Sequence, residues 1–271
     1  MPTVNRLWLL LLLLGQNNLW AAESSPTLQI DTKLQSFRDP LGGVDSRYTE
    51  ILSTRFKSLP KPFKAELSDS NPIHLHCFST PAQPYYIGVQ EEMRIEAPLE
   101  TADHVVSDIG HYQEIFPGYK DIHVVRKEGN RWLTYWEQRI PLFFISNVRY
   151  ELWYVIDHHD PKRIIYRFQL AKADKVHHSD GIIVLEPLGP HSTQYTEYDF
   201  WDADFGLLKT LAPGRIWRES IEGVYLSDLA LKFKAEHPQW SASQIQHEAK
   251  KQLDRFPVDQ AIADRVEFSG L

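Results

Sequence analysis

Cysteine is nearly absent from this chain of 271 residues, since Cys77 is the only one. No internal disulfide bond is possible, so the fold must depend on a hydrophobic core. Basic residues are outnumbered, with 29 lysines and arginines against 36 aspartates and glutamates and a formal net charge of −7. Because binding to nucleic-acid phosphates requires a basic surface, we expect no nucleic acid as a partner.

Long apolar runs are scarce, and the clearest one lies near the start of the chain. Arg6 precedes the apolar residues 7–14, and the small residues Ala21 and Ala22 follow a short polar stretch. This order is typical of a secretory signal peptide, and the run is about half of the roughly 20 residues that a membrane-spanning helix needs. We expect residues 1–22 to be a cleaved signal peptide, with an uncleaved anchor as the alternative. Because many secreted eukaryotic domains carry several disulfide bonds, the bacterial periplasm is the expected location.

Recognisable catalytic motifs are also missing. The sequence contains no glycine-rich phosphate loop, no nucleophile elbow and no assembled catalytic triad. His74, His76 and Cys77 are possible metal ligands, but the spacing of a complete zinc site does not follow. We therefore expect neither a metal nor a cofactor.

The remaining chain divides by composition and periodicity into three parts. Residues 23–84 are rich in proline, serine and aspartate and are interpreted as an N-terminal extension. Residues 85–237 contain a first strand, a short helix that begins at Pro98, a series of antiparallel strands and a long helix over 215–236. Apolar and polar residues alternate in two of these strands, over 148–156 and 163–170, so one face of the sheet is expected to be buried. Residues 238–271 form a C-terminal helical extension, with a capping box at Ser241 and Gln244.

This order of elements resembles the helix-grip fold of the START-like superfamily (polyketide cyclase and lipid transport, SRPBCC). Residues 95–100 (IEAPLE) and 105–108 (VVSD), with Tyr112, Phe116 and Pro117, are similar to its first strand and helix. Residues 140–142 (IPL), with Ser146 and Arg149, resemble the central hairpin of START lipid-binding domains, and residues 181–187 (GIIVLEP) resemble the penultimate strand. The implied architecture is α+β, with a curved antiparallel sheet of about six to seven strands wrapped around a long C-terminal helix.

A curved sheet that grips a helix is expected to leave an apolar cavity between them, and such cavities are the usual ligand sites of proteins. A core filled by its own aromatic side chains is the alternative. The predicted ligand-binding residues are Trp132, Thr134, Trp136, Tyr150, Leu152, Tyr154, Tyr166, Phe168, Trp217, Ile221 and Val224.

The apolar residues Leu142, Phe143 and Phe144 lie between two predicted strands, where a polar turn would be expected. We interpret them as the mouth of the pocket, in transient contact with the ligand or with a membrane surface. A continuous strand buried beneath the N-terminal extension is the alternative.

Glu197 and Asp199 share one face of the last strand with Tyr195 and Trp201. If that face points inward, a desolvated carboxyl could act as a general acid or base in a cyclase or dehydratase. A solvated outward face is the interpretation that we favour from the sequence, so we predict no catalytic residue. The expected function is that of an exported protein that binds or transports a lipid or other hydrophobic small molecule. A cyclase-type enzyme and a ligand-free interaction protein are the alternatives.

Overall fold

Alternating apolar and polar residues form most of the sheet. The computed structural model describes residues 72–80, 83–139, 147–203 and 213–267. In β5 (Val148–Asp160), the side chains of Val148, Tyr150, Leu152 and Tyr154 are buried, whereas the residues between them are half-buried or exposed. Because successive side chains of a strand point to opposite faces, this pattern gives the sheet one apolar face.

The described residues contain nine strands, five α-helices and one 3₁₀ helix. The other strands are β1 (Ile73–Thr80), β2 (Gln83–Ile95), β3 (Tyr119–Glu128), β4 (Arg131–Gln138), β6 (Arg163–Ala173), β7 (Val176–Gly189), β8 (Ser192–Ala203) and β9 (Val266–Glu267). The helices are α1 (Leu99–Ser107), the 3₁₀ helix Ile109–His111, α2 (Tyr112–Ile115), α3 (Pro213–Glu236), α4 (Ala242–Leu253) and α5 (Val258–Ala263).

One sheet contains all nine strands, in the order β3-β4-β5-β6-β7-β8-β2-β1-β9. Strands β3 to β7 each pair antiparallel with the next strand along the chain, and β8 then pairs with β2. The β3–β4 turn contains Gly129 at a φ of 60°, a conformation that glycine adopts without strain and that tight hairpins require. Strand β9 is parallel to β1, and the other pairs are antiparallel.

Helix α3 has 24 residues and a length of about 36 Å. It contacts β2, α1, α4 and α5. On its outer face the ring of Tyr225 stacks on Phe256, with 4.2 Å between ring centroids, and the Arg265 guanidinium lies over the ring of Trp217. The C-terminal segment therefore covers the side of α3 that the sheet does not.

The predicted α+β fold class is confirmed, since a long C-terminal helix packs against an antiparallel sheet. Two elements differ from the prediction. Strand β1 lies within the predicted N-terminal extension, yet it pairs with β2 along nearly its full length. The sequence also predicts a single last helix from Ser241 to Pro257, whereas the structure has two helices, α4 and α5, of which α4 begins at the predicted capping box.

The predicted signal peptide and most of the N-terminal extension lie outside the described residues. Among the helices that are described, none combines the length and the apolar character needed to cross a membrane.

Candidate functional site

A cavity of about 140 Å³ lies between the apolar face of the sheet and helix α3. Seven strands, β2 to β8, contribute to its wall, which means that the sheet bends around it. The lining residues are Ile87, Val89, Tyr112, Phe116, Pro117, Tyr119, Trp136, Gln138, Tyr150, Leu152, Tyr154, Phe168, Ser179, Ile183, Tyr195, Glu197, Asp199, Trp201, Ser220, Gly223, Val224, Ser227, Asp228 and Leu231.

Six of the eleven predicted ligand-binding residues line this cavity: Trp136, Tyr150, Leu152, Tyr154, Phe168 and Val224. Four others, Thr134, Tyr166, Trp217 and Ile221, are buried but do not line it, and Trp132 is half-buried. The predicted mouth residues, Leu142, Phe143 and Phe144, lie outside the described residues. Ligand contact by any of these side chains stays a prediction.

Three of the residues that do not line the cavity have their polar groups in other contacts. The Thr134 hydroxyl accepts a hydrogen bond from the Trp136 indole N–H at 2.8 Å, so it holds a cavity-lining ring in place. The Tyr166 hydroxyl donates to the backbone carbonyl of Asp103 on α1 at 3.1 Å. The Lys127 ammonium lies 3.5 Å above the centre of the Trp132 ring.

Trp136 lies at the centre of the aromatic part of the wall. Its ring is 5.5 Å from that of Tyr119 and 6.1 Å from that of Tyr112, both edge-on, and 6.2 Å from the stacked ring of Tyr150, measured between centroids. Such ring pairs are mutually stabilising. This wall is therefore held in shape by contacts among its own side chains.

The cavity side of α3 is made of small and polar residues rather than of the most apolar ones. Its lining residues are Ser220, Gly223, Val224, Ser227, Asp228 and Leu231, which follow the 3–4 spacing of one helix face. The short side chains of the serines and of Gly223 leave space at the sheet. By contrast, Trp217 and Ile221 are buried without lining the cavity, and the Arg265 guanidinium lies over the Trp217 ring. A stripe of serine and glycine at helical spacing was the available sequence signal for this wall.

Three buried carboxyl groups form a cluster at the cavity wall, where Glu197 and Asp228 line the cavity and Glu91 lies behind them. Glu91 on β2 and Glu197 on β8 are directly paired across the two strands, and Asp228 approaches from α3. One oxygen from each of the three lies within 4.8 Å of the other two. Their exposed fractions are 0%, 9% and 2% respectively. We refer to Glu91, Glu197 and Asp228 as the carboxyl cluster.

The Tyr195 hydroxyl contacts two members of the carboxyl cluster. It lies 3.1 Å from Asp228 Oδ1 and also hydrogen-bonds Glu197 Oε2. Because a hydroxyl has one proton to donate, the second contact requires a protonated carboxyl that donates to the tyrosine oxygen. The geometry is therefore that of a cluster that is not fully ionised.

Electrostatics agree with this protonation. Burial raises the pKa of Glu91 to about 8. Burial, together with the neighbouring Asp228 carboxyl, raises the pKa of Glu197 well above its usual range. The pKa of Asp228 is raised by burial and by Glu91, and the pKa of Asp199 by burial and by Glu197. Like charges directly opposite one another in a sheet are destabilising, so simultaneous ionisation of all these groups is disfavoured.

The outward orientation favoured for Glu197 and Asp199 from the sequence is wrong, because both side chains line the cavity. Both faces of β8 are largely buried, so its sequence lacks the alternation of apolar and polar residues that would indicate which face lies toward the cavity. Glu91 and Asp228 were not identified from the sequence at all.

Oxygen ligands of this kind suit hard cations such as Ca²⁺, Mg²⁺ or Mn²⁺. Within the described part of the chain, the carboxyl cluster is the one group of three possible ligands that lie this close together. His74, His76 and Cys77 do not join such a group there. Burial of Cys77 raises the pKa of its thiol, which disfavours the thiolate that a metal needs.

No family model matches the chain, and no curated protein does. Solved structures are similar to it. Human STARD10 shares 14% identity at a TM-score of 0.55, over 85% of this chain and 94% of that chain. The STAR-related lipid transfer protein from Xanthomonas axonopodis shares 13% identity at a TM-score of 0.51, over 64% and 97%. Human StAR-related lipid transfer protein 5 shares 10% identity at 0.51, over 69% and 94%.

At these identities the likeness concerns the fold. The resemblance to the START-like superfamily noted in the sequence is confirmed at that level, since the described chain has its helix-grip architecture.

Proposed function

We propose that this protein binds a hydrophobic small molecule of the lipid class in the cavity between the sheet and α3. The observation that carries the proposal is the cavity itself, which is walled by aromatic rings on the sheet and by short side chains on the helix. Concave, mainly apolar sites with a few polar groups are typical ligand sites. Two of the similar structures, which share only the fold, are lipid transfer proteins.

The size of the cavity agrees with a small hydrophobic molecule or one short hydrocarbon chain of a lipid. An apolar cavity of about 150 Å³ is known to hold benzene, and the present one measures about 140 Å³. Burying eight carbons at about 0.8 kcal/mol each provides about 6 kcal/mol, equivalent to a dissociation constant of roughly 40 µM before ordering costs. Binding of a hydrophobic molecule therefore needs no strong polar contact.

Filling the cavity tests the proposal. Ser227 lines the cavity on α3, so Ser227→Phe places a ring in the space that the ligand would occupy. Glu219→Phe adds the same ring on the exposed side of the helix. Mass spectrometry of organic extracts, with binding of an eight-carbon alcohol measured by calorimetry, should show loss of the ligand in Ser227→Phe and retention in Glu219→Phe. Equal ligand binding by both variants would show that the cavity is not the binding site.

A second function, an enzyme on the same fold, is favoured by one specific observation. Glu197 and Asp199 face the cavity, and the pKa of each is raised by burial. Such carboxyls suit general acid or base catalysis near neutral pH. Incubation of the copurified molecule with fresh protein distinguishes the two functions: a chemical change that Glu197→Gln abolishes supports the enzyme, and an unaltered molecule supports the carrier.

Two further parts of the proposal concern residues outside the described ranges. Export rests on the signal-like segment 1–22 and is tested by the N-terminal sequence of the protein recovered from its native host. Transient contact with a membrane rests on Phe143 and Phe144. Replacing both with serine should weaken liposome association, and unchanged association would contradict that role.

A further inference from the structure

The carboxyl cluster is more than the cavity needs in order to hold an apolar molecule. Glu91 is completely buried, and among the described residues its carboxyl meets the Asp228 carboxyl but no N–H or hydroxyl donor; Asp228 Oδ2 lacks such a donor there as well. A buried carboxyl without a partner costs free energy. Two of the three cluster carboxyls are in this state next to a ligand cavity, which indicates a partner that the described part of the chain does not provide.

The charge around the cavity restricts what that partner is. None of the residues that line the described cavity is a lysine, an arginine or a histidine, and Glu197, Asp199 and Asp228 all belong to the wall. An anionic head group would meet three carboxyls there and would have no cation to pair with. A cationic group would instead neutralise an ionised carboxyl at low solvent exposure, where charge-assisted hydrogen bonds are strong.

The geometry suits a primary ammonium. An –NH₃⁺ group has three donors and can therefore bond three acceptor oxygens at the same time. The cluster offers one oxygen from each of three side chains, all within 4.8 Å of one another. Because the adjoining space is walled by aromatic rings, the occupant must also have an apolar body. A hydrated metal ion would leave that space unfilled.

We propose that the cavity selects an amphiphilic amine, whose ammonium is held by Glu91, Glu197 and Asp228 and whose hydrocarbon part lies against the aromatic wall. This inference rests on the proposed function and specifies the ligand class of the same site. Tyr195 serves as a positioning residue, because its hydroxyl contacts both Glu197 and Asp228.

Three ligands that differ only in their head group test the inference: octylamine, 1-octanol and octanoate. Calorimetric titration of the full chain at pH 7.5, after removal of copurified molecules, should give at least tenfold tighter binding for octylamine than for octanol, and the weakest binding for octanoate. If none of the three binds, the proposed function itself fails. If octanol or octanoate binds as tightly as octylamine, the cavity site stands and the amine assignment is overturned.

Variants of the carboxyl cluster test whether it determines the preference for the amine. Glu197→Gln and Asp228→Asn keep side-chain size and should lower octylamine affinity much more than octanol affinity, so that the tenfold preference for octylamine is lost. Glu219→Gln, on the exposed side of α3, should bind all three ligands like the unmodified chain. Should a cluster variant fail to fold, the head-group series on the unmodified chain still decides the matter. Calcium binding that Asp228→Asn abolishes, together with octylamine binding that it leaves unchanged, would overturn the proposal in favour of a divalent cation site.

Discussion

Replacing Glu91 with glutamine should stabilise the protein, and the gain should grow with pH. Glu91 is completely buried, it lies opposite Glu197 in the sheet, and no N–H or hydroxyl group of the described residues donates to its oxygens. Glutamine has nearly the same shape and cannot ionise. The variant therefore removes the cost of ionising a buried carboxyl and leaves the packing almost unchanged.

The magnitude follows from the pKa of Glu91, which burial raises from 4.5 to about 8. Because the folded state holds the proton more tightly than the unfolded state, the contribution of this group to stability is complete below pH 4.5 and is lost as the pH rises through 8. A difference of one in pKa corresponds to about 1.4 kcal/mol. Above pH 8 the wild-type chain should thus be less stable than Glu91→Gln by about 5 kcal/mol, an upper figure because Glu197 and Asp228 titrate together with it.

Urea denaturation at intervals between pH 4 and pH 9 measures this effect. The free energies of unfolding of the two proteins should nearly coincide at pH 4 and diverge between pH 4.5 and 8. Glu219→Gln is a matched control on an exposed ion pair with Arg215 and should stay within about 0.5 kcal/mol of wild type throughout. A difference between wild type and Glu91→Gln that is constant with pH, or that favours wild type at pH 9, would refute the reasoning.

Three other substitutions and one chemical modification test the fold. Gly181→Ala should lower the free energy of unfolding by about 1–3 kcal/mol, because its Cβ would lie 2.1 Å from Phe168 Cζ and 2.5 Å from a backbone carbonyl oxygen. Gly223→Ala on α3, where no heavy atom of the described residues lies within 4 Å of the added carbon, should raise the free energy of unfolding by about 0.5–1 kcal/mol. If the two glycine variants changed the free energy of unfolding equally in urea denaturation, this account of the cavity wall would be contradicted. Ser241→Ala removes the capping box of α4 and should cost about 1 kcal/mol in the same assay. Cys77 is 2% exposed, and burial raises the pKa of its thiol, so a thiol reagent should modify it only as fast as the protein unfolds. Modification at the rate of an unfolded chain in native buffer would show that the core around Cys77 is open.

Local sequence patterns were sufficient to predict an element where one of its faces is buried and the other is exposed. The alternation in β5 and the capping box at Ser241 are both encoded within a few residues, and both are present in the structure. Strand β1 was not recognised because Ile73, Leu75 and Cys77 on one face and His76 on the other are all buried, which removes the alternation that identifies a strand.

The cavity and its carboxyl cluster depend on contacts between distant parts of the chain. Glu91, Glu197 and Asp228 come from β2, β8 and α3, and no local periodicity connects them. Their meeting requires β2 to pair with β8, and it requires α3 to present its serine and glycine face to the sheet. Sequence periodicity predicted that α3 is apolar enough to be buried, but it did not distinguish the face that fills space from the face that leaves it.

The carboxyl cluster is unfavourable for the stability of the folded protein, and this bears on its role. Replacing buried charged groups with apolar residues of similar volume is often neutral or stabilising, and the sheet already supplies such residues next to the cluster, for example Val89 and Ile183. Buried groups whose pKa is strongly raised are concentrated at functional sites. In this protein they border a cavity, and Tyr195 connects two of them by hydrogen bonds. Under the proposal made above, a cationic group that enters the cavity pairs with the carboxyls and offsets the unfavourable free energy of burying them. The cluster then destabilises the empty protein but contributes to binding of the proposed ligand.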